Sequence, residues 1–112
     1  MASLGVASPA LAADVTDVAV TPESGGTYRF DVTIRSDEIG WDKFADRWEV
    51  PDTDGAVPGA RVPHHPHVDE QPFTRSLSGA AVPERITSVT LRARDSVEGF
   101  VGAEMPFGLP DR

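Results

Sequence analysis

The sequence predicts an all-β domain, an immunoglobulin-like antiparallel sandwich of about seven short strands. Three observations lead there. Tyr28, Phe30, Val32 and Ile34 alternate strictly with Arg29, Asp31, Thr33 and Arg35, the two-residue period of a strand buried on one face. Short apolar runs recur along the chain, bounded by Gly, Pro, Ser or Asp turn residues. Ten prolines and ten glycines punctuate 112 residues, and no segment sustains a 3.6-residue period.

The elements follow in order. Val15 to Val20 is a short first strand with Val18 and Val20 inward, ended by the turn residues Pro22 to Gly26. Thr27 to Arg35 is the clearest strand. An acidic connection from Ser36 to Lys43 leads to a third strand, Ala45 to Val50, with Trp48 and Val50 inward. Asp52-Thr53-Asp54-Gly55 closes it as a turn. Val57 to Val62 is a fourth strand that Pro58 and Pro63 confine to an edge, since proline has no N–H for a ladder. Pro63 to Pro72 is a proline-broken loop, and Phe73 to Ser78 is a fifth strand. Ile86 to Asp95 is the sixth, with Val89, Leu91 and Ala93 on one face. Val101 to Leu109 is the last, and Pro106 suggests that it too lies at an edge.

This length accommodates one core. Residues 13–112 are read as a single β-sandwich domain. Met1 to Ala12 is small, apolar and uncharged, and Ala10-Leu11-Ala12 fits the A-x-A pattern before a signal-peptidase cut. A basic n-region and a longer apolar stretch are missing, so residues 1–12 read as a truncated signal peptide or a disordered leader. The expected location is periplasmic or secreted. No run approaches the length of a membrane span, and no insertion is expected. The absence of Cys excludes disulfides, thiolate metal sites and a Cys nucleophile. Eighteen acidic against ten basic residues leave a net charge of −8. A negative field repels phosphate backbones, which argues against nucleic acid as a partner.

One stretch stands out chemically. Arg61-Val-Pro-His-His-Pro-His-Val-Asp-Glu70 holds all three histidines. His65 and His67 are two apart, so an extended backbone points both imidazoles the same way. With Asp69 or Glu70 they could form part of a zinc or copper site, and the flanking prolines would stiffen it. The opposing reading is a rigid loop whose histidines hydrogen-bond backbone groups or face solvent. Asp37, Glu38, Asp42 and Asp46 invite a calcium reading, and Asp52 to Gly55 resembles the start of an EF-hand loop. It departs at once, with Gly at the fourth position and no closing Glu. No nucleophile elbow is present and the size leaves little room for a deep pocket, so no enzyme is expected. Trp41, Phe44 and Trp48 are spaced for a helical stripe, for core residues around a loop and a strand, or for a surface patch. The arginines fall in strand-like segments, which predicts a cross-strand Arg–carboxylate network using Asp46, Glu49, Glu70 and Asp95.

Gly40-Trp-Asp-Lys-Phe-Ala-Asp-Arg-Trp-Glu-Val50, His65-Pro-His-Val-Asp-Glu-Gln-Pro-Phe-Thr-Arg-Ser76 and Arg92-Ala-Arg-Asp-Ser-Val-Glu-Gly99 together resemble a family of small uncharacterised exported bacterial proteins. The resemblance runs from about Val15 to Pro110. It implies export and a shared fold, and it brings no activity with it. Members often carry His at the position of Glu98, which weakens any metal site that needs a ligand there. Two functions follow as expectations. The first is a non-catalytic periplasmic binding module holding a zinc or copper ion through His65, His67 and Asp69 or Glu70. The alternative is a structural or protein-interaction domain without metal, its protein partner unidentified.

Overall fold

A computed structural model describes residues 13–36, 38, 40–52, 55–63 and 66–111. The leader read at residues 1–12 lies outside the described residues, as do Asp37, Thr53, Asp54, His64 and His65. Among the described residues there are seven strands: β1 (Ala13–Pro22), β2 (Tyr28–Ser36), β3 (Ala45–Glu49), β4 (Ala60–Arg61), β5 (Phe73–Ala80), β6 (Ser88–Asp95) and β7 (Met105–Gly108). No helix occurs among them, hence none long and apolar enough to cross a membrane.

One sheet has the order β1-β2-β5 and the other β4-β3-β6-β7, with every pairing antiparallel. This is the expected immunoglobulin-like sandwich with one change. In the constant-type arrangement the fourth strand lies beside the fifth; here it pairs with the third.

The two sheets close on one core. Tyr28, Phe30, Val32 and Ile34 of β2 are all buried, as the alternation predicts, and so are Val89, Leu91 and Ala93 of β6. Trp48 of β3 is fully buried among them. Each large side chain so buried contributes about 1.5–3 kcal/mol. The Trp48 indole N–H has no acceptor among the described residues.

Three departures from the expected strands have local causes. In β1 the register shifts between Val15 and Asp17, so Thr16 is an extra residue. That bulge turns Val15 and Val18, three apart, toward the core together, while Val20 is only partly buried. The fourth strand shrinks to Ala60–Arg61 between its two prolines, at the sheet edge where such a strand belongs. The seventh begins only at Met105, because the residues before it serve β1 instead. Val15 N–H donates to the Ala103 carbonyl (2.9 Å) and Ala103 N–H donates to Asp14 Oδ1 (2.7 Å). Val101, just before these bonds, is exposed. Pro106 sits opposite Thr90 on the outer strand, at an edge as expected.

Candidate functional site at the loop end

Strand register brings three connections to one end of the sandwich. Ala13 lies opposite Ser36, Phe73 opposite Ile34, and Ala45 opposite Asp95. The β2–β3, β4–β5 and β6–β7 connections therefore meet there. Polar side chains bind them to each other. Glu38, buried, accepts the His67 N–H at Oε1 (2.6 Å). Its Oε2 accepts the Ala45 N–H (3.3 Å) and the Ser36 hydroxyl. Ser36 N–H donates to Gln71 Oε1 (2.9 Å), and Gln71 Nε2 donates to the His67 carbonyl (2.8 Å).

The β2–β3 and β6–β7 connections are joined in the same way. Ser96 N–H donates to the Phe44 carbonyl (2.8 Å), and Phe44 N–H donates to Ser96 Oγ (3.1 Å). Lys43 Nζ donates to Asp95 Oδ1 (2.5 Å), with the carboxylate completely enclosed. Asp95 Oδ2 accepts the Val97 and Glu98 amides at 3.0 and 2.8 Å. Burial alone would push the Asp95 carboxyl up, but the Lys43 ammonium and these two amides together hold it below its ordinary value.

This bracing shapes a shallow groove of about 580 Å³, with Gly40 and Trp41 on one wall and Pro66 to Glu70 on the other. Trp41 is 68% exposed and meets Phe44 edge-on, with ring centres 5.7 Å apart. Val68 is 49% exposed. His67 turns its ring away from solvent and stacks on Phe73, centres 4.1 Å apart and planes 15° from parallel. Glu70 accepts from Arg75 (3.0 Å). Asp69 is exposed and has no ion pair among the described residues.

Of the four predicted metal ligands, His67, Asp69 and Glu70 thus line one groove, and His65 lies outside the described residues. Among the described residues no three metal-ligating side chains converge. The carboxylates considered for calcium go separate ways. Glu38 faces inward as a brace, Asp42 is exposed, and Asp46 pairs with Arg94 (3.0 Å). Asp52 caps its own turn by accepting the Ala56 N–H (3.1 Å).

The arginine network is present on the outer face of the second sheet, where Glu49 accepts from Arg47 (2.8 Å) and from Arg92. Burial tends to raise the Glu49 carboxyl, and the two guanidinium groups overcome this and lower it. Arg92 also lies over the Phe100 ring, 4.5 Å from its centre. Asp95, counted among the arginine partners, instead takes Lys43. Sequence reasoning also missed Glu38 as the brace of the histidine loop. The available signal for Asp95 was that Lys43 is the only lysine and sits between Trp41 and Phe44. Nothing in the local pattern sets Glu38 apart from the acids around it.

Among known proteins, the chain is similar to one from Halomicrobium mukohataei that carries the name "Putative lipoprotein", with 38% identity over 93 residues. The match covers 83% of this chain and 45% of that protein, so the chain spans less than half the length of this relative. No protein-family profile and no solved structure matches.

Proposed function

We propose that this chain is a non-catalytic binding module displayed outside the cytoplasm, and that the groove between Gly40–Trp41 and Pro66–Glu70 receives a segment of a protein partner. One observation carries the reading. The Trp41 indole is exposed, yet the turn that bears it is braced by the Lys43–Asp95 pair and the Phe44–Ser96 bonds. An aromatic surface held in place before binding loses little freedom when a partner arrives. Export is supported by the A-x-A signal at Ala10 to Ala12 and by the name of the similar protein. The test compares wild type with Trp41→Ala in affinity capture from an envelope fraction. A protein retained by wild type and lost by the variant is expected. Identical retention by both would refute the groove as the binding surface.

A second reading, a zinc or copper ion held by His65, His67, Asp69 and Glu70, is favoured by the presence of three of those residues on the same groove. In it Glu70 must release Arg75, and His67 must bind while its ring lies against Phe73. Titration calorimetry with Zn²⁺ and Cu²⁺, using wild type and a His65→Ala, His67→Ala double variant, decides it. Stoichiometric binding confined to wild type is the outcome this reading requires, and equal heats from both proteins would end it.

A further inference from the structure

We infer that the groove is selective for a cationic occupant: a lysine- or arginine-bearing segment of a partner polypeptide, its charge placed against Trp41 and met by Asp69. This rests on the groove being a binding surface, and it adds what that surface selects. The first support is a segregation of charge. The connections at 37–44, 62–72 and 96–104 contain seven acidic residues and one lysine. That lysine is closed against Asp95. No arginine lies in these connections. Arg47 and Arg92 are held by Glu49, Arg94 by Asp46, Arg29 by Asp31 and Arg61 by the Ser76 carbonyl. Arg75 reaches the groove only to occupy Glu70. Asp42, Asp69 and Glu98 remain exposed and without an ion pair among the described residues.

The second support is the wall itself. An indole face attracts ammonium and guanidinium groups through its quadrupole. Trp41 offers such a face in the same groove as Asp69. Val68 (49% exposed) adds apolar surface in the groove for the aliphatic stem of a Lys or Arg. An acidic peptide or an anionic lipid surface would meet the exposed Asp69 carboxylate here while the nearby Arg75 is already engaged by Glu70, and a neutral apolar segment would leave Asp69 unanswered. Aromatic face, apolar flank and uncompensated carboxylate together describe the complement of a long cationic side chain.

Three ten-residue probe peptides of equal apolar content, with Lys, Gln or Glu at alternate positions between valines, test this by NMR titration of the ¹⁵N-labelled chain. The Trp41 indole and Val68 amide are the reporters. Asp42→Asn with Asp69→Asn removes one charge in the groove and one next to its Trp41 wall. Glu84→Gln with Asp111→Asn removes two at the opposite end and controls for net charge. The Lys peptide should shift the reporters with a Kd about tenfold below that of the Gln peptide at low salt. That margin should shrink toward physiological ionic strength and vanish in the groove variant alone. Equal affinity for Lys and Gln peptides would overturn cation selection and leave the groove as a docking surface. Equal losses in both double variants would also overturn it, by assigning the effect to net charge. Reporters that stay unmoved by every peptide would overturn it as well. The Trp41→Ala capture experiment then judges the groove separately.

Discussion

Single carboxylates do unequal work at the loop end. Glu38 supplies the acceptor for two backbone amides and a hydroxyl on three different stretches of chain. Glu38→Ala strands those donors in a buried site, which costs about 1–3 kcal/mol, and amide exchange at His67 should accelerate with the loss. Asp95 is the more exposed to mutation in an energetic sense, because it neutralises an enclosed ammonium. Removing one partner of a buried pair costs about 3–5 kcal/mol, so Asp95→Ala should lower the urea midpoint further than Glu38→Ala does. Trp41→Ala removes a mostly exposed side chain together with its edge contact to Phe44 and should cost only about 0.5–1.5 kcal/mol. Both Asp95 and Glu49 have carboxyls lowered from ordinary values of 3.8 and 4.5. Their contribution is complete above those values, weakens as pH falls through about 4, and is lost below the folded-state values. Urea midpoints followed from about pH 6 to pH 2 should show that decline, and Glu49→Gln should make it shallower.

At the scale of elements, the seventh strand shows how a neighbour decides where a strand starts. A Cβ added at Gly102 would collide with the Ala13 carbonyl and approach Asp14 Oδ1. Gly102→Ala should therefore detach the start of β1 from residues 102–103, at a cost of about 1–3 kcal/mol. Faster amide exchange at Val15 and Ala103 than at Val32 would report it. This contact also marks the limit of what alternation reveals. Strands β2 and β6 were legible because one face of each is fully buried, so period two is unbroken from Tyr28 to Ile34 and from Val89 to Ala93. In β1 the bulge at Thr16 breaks that period. Before β7 the alternation of Val101, Ala103 and Met105 continues through residues that bond to β1. The histidine loop was legible as unusual, from composition alone. Its opposing wall was not, because Trp41 reaches it through tertiary bonds from Glu38 and Asp95 that leave no periodic trace. The spacing of Trp41, Phe44 and Trp48 fits a helix as well as the turn and strand that form.

The whole molecule separates its charges by structural type. Seven arginines stand on strands, most of them answered by neighbouring carboxylates, while the connections at one end carry acid with little to balance it. The two tryptophans make this measurable. Trp48 is enclosed and Trp41 open, so collisional quenching reports chiefly on the loop end. Relative to its action on a free indole, caesium should quench more efficiently than iodide at low ionic strength. The difference should fade near 0.1 M salt, where screening acts over about 10 Å. The braces that hold this end together have a further consequence. Lys43 is the only lysine in the chain, and its amine is shut against Asp95. An amine-acylating reagent thus meets a single side-chain target that reacts only when the loop end comes apart. The slow rate of its acylation becomes a clock, each modified molecule recording one opening of the binding end.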